Sequence, residues 1–184
     1  MAECKQAVLV EKETAHRDCL TGCYDRMTIR HLVDLCFLKS DVRQSHAMFV
    51  IDVDNFKRVN DTWGREFGDI VLNDVAAVLR RIFRRSDYIG RIGDDEFLVL
   101  LRDVEPERLS EKKAQEFYTA LGTLFSARGD ERYKPTCSVG IARYPMDGTL
   151  FETVFQSADA ALHEAKRLGL NRVAVAPGCE GRKR

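Results

Sequence analysis

The sequence lacks a surplus of charge of either sign, because 29 Lys and Arg balance 29 Asp and Glu. That balance excludes bulk recruitment of nucleic acid or of an anionic membrane, and it makes any anion site a local arrangement. No apolar run approaches the length of a membrane span and no signal peptide opens the chain, so a cytoplasmic chain with no direct membrane insertion is expected. Cysteine is present without a metal-binding pattern. Cys19 and Cys23 form the one close pair among six cysteines, and no second pair or histidine cluster completes a zinc set. All six are expected to be reduced thiols. Internal repeats and low-complexity segments are also missing.

What is present suits one domain of 184 residues with short extensions, long enough to bury a proper core. "QAVLVEKETAHRD" (6–18) reads as helical, and residues 1–17 as the end of an upstream signalling or linker helix. Thr21 or Asp25 is placed to cap a helix over 26–39. "HAMFVIDVD" (46–54) reads as a buried strand ending in acid, and apolar residues from Ile70 to Ile82 recur at helical spacing over 69–83. "SDYIGRIG" and "DEFLVLLRD" read as two strands around a tight turn, with Gly93 free to take positive φ. A helix over 107–127, a loop, a strand over 135–144, a helix over 150–168 stopped by Gly169, and a short strand over 171–176 follow. The tail 177–184 is polar. Hairpins mixed with helices point to a mainly antiparallel sheet with helices packed on it.

The stretch "RIGDDEFLVLL" (91–101) crowds Asp94, Asp95 and Glu96 at the mouth of a strand, where like charges repel. Either this is a solvated turn or the carboxylates hold a cation. Asp52 and Asp54, two apart at the end of the first strand, share one face. A hard cation such as Mg²⁺ uses one or two carboxylates, keeps waters, and takes its remaining ligands from phosphates. Asp52 with one acid of the 94–96 cluster suits that pattern if the two strands are neighbours; otherwise these are unrelated acidic strand ends. "DVDNFKRVNDTW" (52–63) opens like a calcium loop but carries Phe56, Lys57 and Trp63 where an EF-hand needs an oxygen ligand, Gly and Glu, so that reading fails.

Five segments in order, "DCLTGCYDR", "DVDNFKRVNDTWGREFGD", "RRSDYIGRIGDDEF", "CSVGIARYPMDG" and "ADAALHEAKRLGLNRV", make residues 18–176 resemble a GGDEF domain of the diguanylate cyclase family. The resemblance implies an α/β (α+β) palm-like domain, nucleotidyl-cyclase-like, with a central mostly antiparallel five-stranded sheet flanked by helices. It implies an enzyme acting as a homodimer, in which two domains face each other, each with one GTP and Mg²⁺ (or Mn²⁺). Each 3′-hydroxyl attacks the other α-phosphate, releasing cyclic di-GMP and two pyrophosphates. An upstream sensor domain is implied as well.

By position, the resemblance makes Asp52 and Asp95 metal carboxylates, with the Val53 carbonyl as a further ligand. Glu96 takes a role in metal binding or hydroxyl activation. Asn60 and Asp69 bind guanine, and a carboxylate does accept from N1–H and N2–H; the alternative for Asp69 is a helix cap. Lys57 and Lys166 contact phosphate, or are ordinary surface lysines. Arg84 and Asp87, the RxxD pair of "RRSD", mark an allosteric product site, or a helix-end charge pair.

Four positions depart from the family pattern. Asp94 stands where the signature has a second Gly, giving GDDEF. At about 6 Å from a phosphate its charge costs roughly 3 kcal/mol at an effective dielectric of 20. Leu170 replaces an Arg and removes a phosphate contact, while Arg65 and His163 replace His and Tyr. Two functional classes follow: an active cyclase, or a degenerate module that binds GTP or cyclic di-GMP as a regulatory receptor.

Overall fold

The computed structural model describes residues 15–41, 43–104, 106–127 and 135–178. Its elements in chain order are α1 (Arg26–Lys39), β1 (His46–Val53), α2 (Phe56–Trp63), α3 (Arg65–Ile82), β2 (Tyr88–Arg91), β3 (Glu96–Leu101), α4 (Pro106–Ala127), β4 (Cys137–Tyr144), α5 (Phe151–Arg167) and β5 (Val173–Val175). The five strands form one sheet in the order β2-β3-β1-β4-β5, antiparallel except for the parallel β4–β5 pair. The α+β fold with a mostly antiparallel five-stranded sheet is the expected one.

Both faces of the sheet are covered, which is why the central strands read as continuous apolar runs instead of alternating ones. Phe49, Ile51, Phe97, Val99 and Ile141 pack on one side with Val71, Val75 and Leu79 of α3 and with Phe117 and Leu121 of α4. Met48, Val50, Leu98 and Leu100 pack on the other with Ile29 and Val33 of α1 and with Val154, Ala158 and Leu162 of α5. Strand side chains alternate between faces. Asp52 and Asp54, in step with Met48 and Val50, therefore sit on the α1/α5 side.

Several local expectations change. The helix expected over 6–18 falls mostly outside the described residues, and at its end Arg17 forms a β-bridge with Tyr24 instead. Asp25, not Thr21, caps α1, accepting from the Thr28 N–H at 2.8 Å. The helix expected over 69–83 is one helix, α3, that starts four residues earlier at Arg65. A further helix not expected from the sequence, α2, precedes it and is capped by Gly64, whose φ of 85° suits glycine. Asp69 thus lies inside α3 and is not its cap. Gly93 does not take positive φ. Its lack of a side chain is spatial, since a Cβ there would lie 2.6 Å from Glu96 Oε2. Cys19, Cys23, Cys36 and Cys137 are free thiols, while Cys4 and Cys179, the loop over 128–134 and most of the tail fall outside the described residues. Among the described residues no helix is long and apolar enough to cross a membrane.

Candidate active site

The acidic residues meet because β1 and β3 are neighbours. In their antiparallel register Asp52 lies opposite Glu96, and the Val53 N–H donates to the Asp95 carbonyl at 3.1 Å. The turn carrying Gly93, Asp94 and Asp95 is held from below by Arg91. Its Nε donates to the Gly93 carbonyl at 3.2 Å and its Nη2 to the Asp94 carbonyl at 2.7 Å. Arg91 is in turn clamped by Asp18, with both carboxylate oxygens 3.2 Å from Nη1. Burial pushes the Asp18 carboxyl up, but hydrogen bonds from Thr21 and the Arg91 charge prevail and leave it below the usual range. The turn-rich first motif thus braces the acidic hairpin. Seventy-three residues separate Asp18 from Arg91, so no local pattern announced the contact.

The carboxylates strain against one another. Burial, then the charges of Asp52 and Glu96, push Asp95 up to about 6. Burial raises Asp52 despite the hydrogen bond from Lys166, and burial followed by the Asp52 charge raises Glu96. Lys166, near the end of α5, places Nζ 2.7 Å from Asp52 Oδ2. No preassembled cluster of three His, Cys, Asp or Glu ligands stands among the described residues. The Lys166 ammonium pairs with Asp52 instead. Asp54, on the same face, does not join the group. It is buried and accepts from Ser138 Oγ at 2.7 Å, from Thr136 Oγ1 at 2.7 Å and from the Asn171 N–H at 2.9 Å.

A second polar locus lies on α2 and α3. Asn60 Oδ1 is buried without a hydrogen-bond partner, the kind of unsatisfied acceptor that a native fold rarely keeps without a use. Gly68 makes room for it, as a Cβ there would come within 2.0 Å of that oxygen. Asp69 follows Gly68 and is exposed, and Lys57 is exposed in the first turn of α2. Asp94 is exposed too, with a backbone outside the left-handed region, so a side chain fits the turn without strain.

At the other pole of β3 the Asp87 carboxylate is buried and already engaged. It accepts from the backbone N–H of Arg84 at 2.8 Å and of Arg102 at 3.1 Å. Asp87 therefore shapes the loop, and the exposed Arg84 guanidinium makes no ion pair with it. Arg84 instead borders a cavity of about 560 Å³ shared with Arg17, Tyr24, Arg80 and Arg85.

The family model described as "Diguanylate cyclase, GGDEF domain" matches residues 15–172. The chain belongs to the GGDEF diguanylate cyclase family. Among curated relatives, the probable diguanylate cyclase DgcT of Escherichia coli K12 is 32% identical over 92% of this chain and 37% of that protein. The cyclic di-GMP phosphodiesterase PdeR of the same strain is 34% identical over 88% of this chain and 24% of its own length. The chain thus spans between about a quarter and two fifths of the length of these relatives. The solved GGDEF domain of TpbB (or YfiN) from Pseudomonas aeruginosa superposes with a TM-score of 0.80 at 28% identity, covering 88% of this chain and 94% of that one. The GGDEF domain of DgcB from Caulobacter crescentus, solved in complex with c-di-GMP, gives 0.75 at 27% identity, covering 87% and 95%.

Proposed function

We propose that this GGDEF domain condenses two GTP molecules into cyclic di-GMP and two pyrophosphates, as a homodimer of facing domains under an upstream sensor. The observation carrying this reading is the meeting of Asp52, Asp95 and Glu96 at the ends of adjacent strands, with Asp95 pushed up to about 6. Carboxylates brought to one edge by the β1–β3 pairing, with Asp95 raised by burial and by the charges of Asp52 and Glu96, suit a hard divalent cation, which needs only one or two of them. Asp52, Asp95 and the Val53 carbonyl would hold Mg²⁺ or Mn²⁺, which when bound supplies charge stabilisation for the attacking and leaving oxygens of an in-line displacement.

The chain's own residues do the rest. Asn60, whose Oδ1 is buried and unpaired, and the exposed Asp69 present oxygens to the hydrogen-bond donors of a guanine edge. Lys57 and Lys166 meet the triphosphate, with Lys166 exchanging its Asp52 partner for phosphate oxygens. Glu96, raised by burial and by Asp52, is placed to take the proton of the attacking 3′-hydroxyl. Arg84, at the 560 Å³ cavity, offers parallel N–H donors to a phosphate of the cyclic product. Asp87 contributes by holding the loop.

A second reading, a degenerate receptor for GTP or cyclic di-GMP, draws on Leu170. That residue brings no cation to the loop beside Lys166. Incubating the purified, dimerised protein with GTP and Mg²⁺ and separating products by chromatography decides between the two. Cyclic di-GMP formation that is lost in Asp95→Asn supports the enzyme. Nucleotide binding without any product supports the receptor.

A further inference from the structure

Residues 169–171 form an unusual strap between α5 and β5. Gly169, Leu170 and Asn171 have φ values of 121°, 57° and 48°, three left-handed residues in succession. Asn tolerates that region, but Leu does not, and such a conformation persists only where surrounding contacts impose it. The strap hangs from the turn that carries Lys166, because the Gly169 N–H donates to the Lys166 carbonyl at 3.2 Å. Its far end is fastened to the sheet, where the Arg172 carbonyl accepts from the Val139 N–H at 2.8 Å.

Between these two ties stands Asp54. Its carboxylate is buried and paired with no cation: all three of its partners are neutral donors, the hydroxyls of Thr136 and Ser138 and the N–H of Asn171. A buried charge is retained in a fold only where its hydrogen bonds repay desolvation. Here those bonds join three pieces, the end of β1, the start of β4 and the strap. Asp54 is two residues from Asp52 on the same strand face. Lys166 Nζ lies 2.7 Å from Asp52 Oδ2.

We propose that Asp54 is a positioning residue, which fastens the strained 169–171 strap to the metal edge and so holds the Lys166 ammonium over Asp52. This deepens the proposed function, resting on the part it gives Lys166. The readouts below need neither nucleotide nor metal, so they stand or fall apart from GTP turnover.

The test uses Asp54→Asn, which keeps the shape but leaves one acceptor oxygen in place of two. Amide exchange followed by NMR is expected to speed up at Asn171 by about tenfold or more, with β1 and β3 amides unchanged. Acetylation of Lys166, read by mass spectrometry, is expected to accelerate with it, while the exposed Lys57 reacts at its former rate. Adding Leu170→Gly to Asp54→Asn removes the strain that Asp54 opposes and is expected to restore much of the protection at both positions. Should Asp54→Asn fold poorly, Thr136→Val loosens the same oxygen that accepts from Asn171, with a smaller shift in the same direction. Unchanged exchange at Asn171, unchanged acetylation of Lys166, or acceleration spread equally over the sheet overturns the proposal.

Discussion

Neutralising Asp95 separates stability from function at the acidic hairpin. In the folded protein this carboxyl is pushed up to about 6 by burial and by the charges of Asp52 and Glu96, against 3.8 in a free chain. A proton is therefore bound more tightly by the folded state. Below pH ~4 both states are protonated and the group contributes nothing to stability. As pH rises from about 4 to about 6 the unfolded chain ionises first, and destabilisation of the fold accumulates; above about 6 it is complete. The full shift corresponds to about 3 kcal/mol at pH 7.5, and to about half of that once water screens a partly exposed carboxylate. Asp95→Asn removes this penalty. In EDTA at pH 7.5 the variant is expected to melt roughly 3–6 °C above the parent, and at pH 4 no higher. Added Mg²⁺ is expected to raise the parent's melting temperature and to leave the variant's unmoved, and cyclic di-GMP synthesis is expected to vanish. Scanning calorimetry at the two pH values with and without Mg²⁺ measures all of this. A variant that melts at or below the parent at pH 7.5 in EDTA refutes the argument that crowded charge is stored at this turn.

Other outcomes follow from the same geometry. Gly68→Ala places a methyl group against Asn60 Oδ1, at 2.0 Å before relaxation, and is expected to weaken GTP binding about tenfold or more while ATP binding, read by calorimetry, stays as weak as before. Asp69→Ala is expected to lower GTP affinity without lowering the melting temperature, since Asp69 is exposed and caps nothing; equal affinity of the parent for GTP and ATP sinks the guanine assignment. Asp94→Gly is expected to raise GTP affinity only a few-fold, because the side chain is exposed and its roughly 3 kcal/mol of repulsion is screened by water; adding Leu170→Arg is expected to raise it further. Arg84→Ala is expected to weaken cyclic di-GMP binding, whereas Asp87→Asn is expected to lower stability first, as its carboxylate serves two backbone amides.

By itself the sequence determined most of the elements, α2 excepted. Apolar periodicity located the long helices, the unbroken "MFVI" run located a strand buried on both faces, and the acids at the ends of two strands marked a candidate cation site. These features are local, set by the few residues that share a turn or a strand. Tertiary structure decided which ends meet. Pairing β1 with β3 puts Asp52 opposite Glu96, and packing α5 on the same face brings Lys166 to Asp52 across 114 residues of chain. It also divided the acids that spacing had left equivalent. Asp52 and Asp54 lie on one face, yet only Asp52 faces the hairpin, while Asp54 is consumed by Thr136, Ser138 and Asn171. Asp87 likewise reads as a partner for Arg84 but serves the backbone of its own loop. A strand's period assigns a side chain to a face, and only the packing of distant segments supplies the donors that decide what a carboxylate there will do.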